Sequence, residues 1–109
     1  MRVRWRHVQG SMSPDGGIME DDEFEWDDEK AKTNVTRHDV SFELARRVFD
    51  DLDRQERLDD DPEEERWVVM GLVDVHVLVV AYTERNGRIR IISARKATRN
   101  EQRRYYARL

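Results

Sequence analysis

The stretch from residue 66 to residue 94 most constrains what this chain can fold into. RWVVMGLV (66–73) and VHVLVVAYTE (75–84) are rich in Val, Trp and Tyr and have the length of strands rather than helices. Branching at Cβ restricts rotamers in a helix but packs well on a pleated surface. A tight turn at Asp74 can join the two runs. Asn86-Gly87 then offers the two positive-φ positions that a type I′ hairpin turn needs, and RIRIISA (88–94) follows as a third strand. The three runs predict an antiparallel meander, and the rest of the chain must cover it.

The flanking segments read as those covers. FEW at 24–26 is a short strand, where folded structure is expected to begin. DDEKAKTNVTRH (27–38) opens with acidic residues, as suits a helix N-terminus, and offers Trp26, Ala31, Val35 and His38 for packing or function. Ser41 is a good N-cap, and Phe42, Ala45, Val48 and Phe49 follow with the spacing of a buried helical stripe. Residues 50–65 start as a short strand and end in an acidic loop around Pro62. Thr98 and Glu101 make a T-x-x-E capping box that announces a last helix. The expected fold is α+β: two N-terminal helices, an antiparallel β-meander, and a C-terminal helix packed on the sheet. Residues 1–22, which contain GSMSPDGG, are expected to be a flexible arm, with one domain over 23–109.

Composition narrows the function classes. There is no cysteine, so neither disulfides nor a thiolate metal site can hold the fold. Nothing has the length of a membrane span, and the basic start MRVRWRHVQ is not followed by an apolar run, so a cytoplasmic protein is expected. The formal net charge of −4 hides a division: residues 24–65 carry a net of −9 and residues 66–109 a net of +7. Such asymmetry suits a basic surface for a polyanion. A solvated basic face that pairs with the acidic half of the same chain remains the plainer alternative.

The basic residues are mostly arginines, whose guanidinium forks bind two phosphate oxygens at once and stay charged at any cellular pH. Alternation places Arg88, Arg90 and Ile92 on one face of the third strand and Ile89, Ile91 and Ser93 on the other, with Arg95 just past the strand's end. Arg99, Arg103 and Arg104 rise from the next helix. His38, flanked by Arg37 and Asp39, is either a proton carrier or a helix-end cap. Glu84 is either a hairpin-tip surface residue or a general base within reach of Arg88 or Arg90. Tyr82, Tyr105 and Tyr106 either stack bases or pack the last helix. The carboxylates of 59–65 lack an EF-hand pattern, and no phosphate-binding glycine loop or nucleophile elbow is present, so no metal or cofactor is expected.

FEWDDEKAKTN, RHDVSFELA with VFDD, EERW, YTER and RIISARKATRNEQRRYY together resemble the BrnT family of bacterial type II toxins, in family order from Phe24 to Tyr106. The most specific pieces are Trp26-Asp27 with Lys30-Ala31 and Asn34, and the run ending at Arg95. The resemblance implies a ribonuclease distantly similar to RelE-type toxins. It also implies a BrnA-like antitoxin whose ribbon-helix-helix part binds operator DNA, in a toxin–antitoxin heterotetramer that represses its own operon. The family usually has Lys-His-Gly where this chain has Arg37-His38-Asp39, and Asp tolerates the left-handed backbone a glycine would take. Leu44 stands where the family often has a glutamate.

The resulting expectation is metal-independent RNA cleavage through a 2′-hydroxyl attack. Arg90 and Arg95 would hold the scissile phosphate, His38 or Glu84 would move protons, and Lys30, Arg66, Arg85 and Arg99 would bind substrate. The alternative is a non-catalytic module that binds RNA or protein. A DNA-binding regulator is disfavoured, because no recognition helix of the usual kind is visible.

Overall fold

The computed structural model describes residues 6–7, 23–59 and 65–109. The expected arm, apart from residues 6 and 7, and the acidic stretch around Pro62 lie outside them. The elements are β1 (Arg6–His7), β2 (Phe24–Glu25), α1 (Asp28–His38) and α2 (Phe42–Ala45), which runs directly into a 3-10 turn over Arg46–Asp50. Then come β3 (Gln55–Asp59), β4 (Arg66–Val73), β5 (His76–Arg85), β6 (Arg88–Lys96) and α3 (Arg99–Ala107). The strands form one sheet in the order β1-β3-β4-β5-β6-β2. Consecutive strands β3 to β6 are antiparallel, so the α+β meander expected from the sequence is present. Its far edge departs from a pure meander, because β2 pairs with β6 in parallel. Among the described residues no helix is long and apolar enough to cross a membrane.

Both faces of the sheet are covered, which explains why β4 and β5 read as nearly continuous apolar runs instead of alternating ones. On one face Phe42, Ala45 and Val48 pack with Val69, Leu78, Val80, Tyr82, Ile91 and Ala94. On the other, Tyr105 of α3 packs with Val68, Met70, Val77, Val79 and Ala97. The helix-side face is tight at Gly71: a Cβ there would sit 3.0 Å from the Val48 carbonyl oxygen, so the 3-10 turn would have to give. The α3 face is pinned by polar contacts as well. The Tyr105 hydroxyl donates to Asp51, and the same Asp51 carboxylate accepts the Leu72 N–H at 2.7 Å. Gln55 donates to the Tyr105 carbonyl at 3.3 Å.

Local signals formed as their chemistry requires. Asp27 caps α1 by accepting the N–H groups of Glu29 and Lys30 at 2.8 and 3.1 Å. Asp39 ends the helix in the left-handed conformation at φ 56°, with its N–H bonded to the Val35 carbonyl. Asn86 and Gly87, at φ 55° and 74°, make the turn between β5 and β6. His76, at the start of β5, is exposed.

One feature of β6 departs from simple alternation. Ala81 pairs with Ser93 but Tyr82 pairs with Ile91, so Ile92 is an extra residue, a β-bulge. Strict alternation had Ser93 beside Ile91 and ended the strand before Arg95. In the structure Ile91 and Ala94 both join the helix-side core, while Ser93 and Arg95 face the α3 side opposite Ala81 and Val79. The strand also runs on to Lys96, so Arg95 lies inside it.

Beyond β2 no strand among the described residues pairs with the outer edge of β6, and α1 meets that edge through one side chain. The Asn34 carboxamide accepts the Ala94 N–H at 3.0 Å and donates to the Ala94 carbonyl at 2.8 Å. Its Nδ2 also donates to the Val40 carbonyl at 2.8 Å. The amide thus makes the pair of bonds to Ala94 that a neighbouring strand would make.

Candidate functional site

Among the described residues, α3 covers its side of the sheet around Val68, Met70, Val77 and Val79. Beyond Val68 and Val79 the register places Ala81 and Thr83 of β5 opposite Ser93 and Arg90 of β6, and Arg57 of β3 opposite Val68. The result is a floor of small residues with arginines standing beside it. Arg90 and Arg95 are five residues apart and would face opposite ways in a regular strand. The bulge brings them to the same face.

Both guanidinium groups are held by carboxylates. Arg90 Nη1 donates to Glu25 of β2 at 2.6 Å, a pair that the parallel register Glu25–Arg90 brings together. Arg95 Nη1 and Nη2 donate to the two oxygens of Glu101 at 2.7 and 3.0 Å, an end-on fork. The Glu101 hydrogen bond raises the Arg95 pKa, so this cation stays charged. Reciprocally, the Arg95 guanidinium and the Thr98 N–H hold the Glu101 carboxyl down at about 2.

A second group of expected residues lies across the outer edge of β6. Lys30, Thr33, Asn34, Arg37 and His38 of α1 line a cavity of about 270 Å3 with Ile92 and Ser93. Ser93 belongs both to this cavity and to the arginine-bearing face, so the bulge is where the two meet. Lys30 and His38 are exposed on its rim.

The other expected residues are scattered. Arg66, at the start of β4 opposite Asp59, is half-buried and has the strand phase of Val68, the α3-side face. Arg85 is exposed at the hairpin tip opposite Arg88, and Arg99 is exposed at the first position of α3. Glu84 pairs with Ile89, one step out of phase with the Thr83–Arg90 pair, and so projects from the opposite face. There it lines an acidic cavity of about 420 Å3 with Glu56, Glu65, Trp67 and Tyr82. The Tyr82 hydroxyl donates to Glu56 at 2.9 Å, and burial first, then that carboxylate, pushes its pKa up. The expected reach of Glu84 to Arg88 or Arg90 is not found.

Several members of the site carried no signal of their role. Arg57 sits in a short strand with no motif around it, and strict alternation puts Ser93 on the face opposite the one it takes. Glu101 read as a helix cap, which it is: Thr98 and Glu101 exchange both capping-box hydrogen bonds. Its second engagement, with Arg95, is invisible in that motif. Among the described residues no group of three or more His, Asp or Glu side chains is arranged to hold a metal ion.

The chain is thus a small α+β domain whose α3-side sheet face carries two arginines, each paired with a carboxylate. Residues 26–101 match the family described as "Ribonuclease toxin, BrnT, of type II toxin-antitoxin system". That match spans well over half of the chain, which therefore belongs to the BrnT family, whose members are ribonuclease toxins with an antitoxin partner and an RNA substrate. A comparison with curated proteins finds no match.

Proposed function

We propose that this chain is a cytoplasmic, metal-independent endoribonuclease that arrests translation by cutting RNA. A BrnA-like antitoxin with a ribbon-helix-helix domain neutralises it in a heterotetramer, and the toxin meets operator DNA only through that antitoxin. The observation that carries the catalytic part is the bulge at Ile92, which gives Arg90 and Arg95 a common face.

In the proposed reaction the ribose 2′-oxygen attacks the adjacent phosphorus as its proton passes to a base. The bond from phosphorus to the 5′-oxygen breaks, and that oxygen takes up a proton. The products are a 2′,3′-cyclic phosphate and a 5′-hydroxyl end. Charge builds on the non-bridging oxygens in the transition state, where preorganised guanidinium donors are most effective. Arg90 and Arg95 supply them. His38, which lines one cavity with Ser93, is favoured over Glu84 as the proton carrier, because Glu84 projects from the face opposite Arg90. Lys30 on the rim of the α1 cavity and Arg66 on the α3 side bind the RNA, and Arg85 and Arg99 steer the strand from its ends.

The test is incubation of antitoxin-free protein with end-labelled RNA in excess chelator, alone and with programmed ribosomes, mapping product ends. Cyclic phosphate and 5′-hydroxyl ends, lost in Arg95→Ala with the fold intact, are expected. RNA left intact in both settings would replace the enzyme with a non-catalytic RNA- or protein-binding module.

A further inference from the structure

We infer that Glu101 is a positioning residue for Arg95, and that α3 thereby fixes the orientation of the proposed phosphate-binding guanidinium; this rests on the function proposed above. Glu101 takes the Nη1–Nη2 end of Arg95 at 2.7 and 3.0 Å, which leaves the Nε edge of the guanidinium to meet a phosphate side-on.

A carboxylate beside an arginine can instead act as a stand-in that the phosphate displaces. The geometry opposes that here. Glu101 Oε1, the oxygen that meets Nη1, also accepts the Thr98 N–H at 2.8 Å, and the Glu101 N–H returns to Thr98 Oγ1 at 3.2 Å. The Glu101 side chain is only 18% exposed, and to leave Arg95 it would have to break the cap of its own helix. That helix is anchored as well: Tyr105 is buried and tied to Asp51, and Gln55 holds the Tyr105 carbonyl. A continuous polar path therefore runs from Asp51 through Tyr105 and α3 to Glu101 and Arg95. Support of this kind keeps a long, rotamer-rich side chain in one productive pose.

The test is steady-state cleavage by wild type, Glu101→Gln, Thr98→Ala, Arg95→Ala and the Glu101→Gln/Arg95→Ala double variant, on whichever substrate wild type cuts. Glutamine can serve in a capping box, so Glu101→Gln is expected to fold. Its kcat should fall about tenfold to a hundredfold with KM within about twofold, the cost of a misplaced catalytic group. Thr98→Ala weakens the same cap without removing the Arg95 partner, and its kcat should stay within about threefold. The double variant should be no worse than Arg95→Ala, because Glu101 acts only through that arginine. If Glu101→Gln does not fold, Glu101→Asp, which draws the carboxylate back, must show the same loss of kcat.

A rise in kcat/KM for Glu101→Gln, or additive losses in the double variant, would overturn the inference. Full activity of Glu101→Gln beside a dead Arg95→Ala would remove the positioning role and leave the proposed function standing. An active Arg95→Ala would remove the catalytic role of Arg95 and the positioning role with it, and a wild type that cuts nothing would remove the proposed function as well.

Discussion

Asn34→Ala is expected to be among the most damaging single substitutions outside the apolar core. The residue is 5% exposed, and its side chain makes three hydrogen bonds to backbone, all of them lost together. The Ala94 N–H, the Ala94 carbonyl and the Val40 carbonyl would be left without these partners. A buried backbone group deprived of its bond costs about 1–3 kcal/mol. The lower part of that range applies, because the neighbouring cavity can admit water to the exposed edge of β6. Three groups at the low end give a loss of about 3–4 kcal/mol. The better helix propensity of alanine at a mid-helix position returns about half a kcal/mol. The net loss, about 3 kcal/mol, is a large share of the roughly 5–15 kcal/mol that stabilises a domain.

Urea denaturation followed by tryptophan fluorescence measures this loss directly. With m near 1–1.5 kcal/mol/M for a small domain, the midpoint should fall by about 2–3 M at unchanged m. Asn34→Asp sharpens the test. At neutral pH its carboxylate can still accept the Ala94 N–H but turns an anion toward two carbonyl oxygens, so it should be at least as damaging as alanine. Those oxygens raise the folded-state pKa of the new carboxyl above its unfolded value. The penalty is then absent below the unfolded pKa and grows as pH rises through the folded one, so the aspartate variant should recover relative to wild type on acidification. An Asn34→Ala loss below about 1 kcal/mol would mean that water or a shift of α1 replaces the amide at little cost, and the strand-substitute account would fall.

Gly71→Ala should cost about 1–3 kcal/mol by thermal denaturation, since its Cβ would meet the Val48 carbonyl oxygen at 3.0 Å and the Val48 Cβ at 3.1 Å; an unchanged Tm would show that the 3-10 turn gives way freely. Gly87→Ala meets nothing within 4 Å, so its expected loss of about 1 kcal/mol is purely the cost of a side chain at φ 74°. Equal stability of the two forms would refute that. The Glu101 carboxyl, held down at about 2 by Arg95 and the Thr98 N–H, contributes stability that is fully present above its unfolded pKa. That contribution is lost as pH falls toward 2, so wild type should lose Tm faster than Glu101→Gln between pH 5 and 2. Parallel Tm curves over that window would show that the pair adds nothing to the folded state.

Legibility in the sequence followed the range of the interaction. The turn at Asn86-Gly87, the Asp39 helix end and the Thr98–Glu101 cap are decided within a few residues, and each stood in the sequence as it stands in the fold. The β-branched composition of β4 and β5 announced strands for the same reason. The pairing of β2 with β6 spans 65 residues between Glu25 and Arg90 and depends on everything folded between them. No local pattern encodes it. Glu84 and Arg90 illustrate a second limit: proximity in a hairpin suggests reach, but pairing phase decides the face, and one step of phase separates them.

The bulge is the least legible feature and the one on which the site most depends. RIRIISARK contains neither Gly nor Pro to mark it, and its even alternation of Arg and Ile up to residue 91 invites an uninterrupted extrapolation. Deleting one residue from a regular strand turns every later side chain to the wrong face. Deleting Ile92 should do the opposite. Tyr82 already faces Ile91 and Ala81 already faces Ser93, so the shortened strand would form a regular ladder with Ala94 still in the core and Arg95 still on the α3 face. The deletion should fold cooperatively and keep Arg95 paired with Glu101, its main loss being the Ile92 wall of the α1 cavity. Nuclear Overhauser contacts between Ala81 and Ser93 and between Val79 and Arg95 would confirm the retained register. A variant in which those contacts shift by one residue, or which does not fold at all, would show that the extra residue is needed for the bend of β6 itself and is more than an insertion into an otherwise regular hairpin.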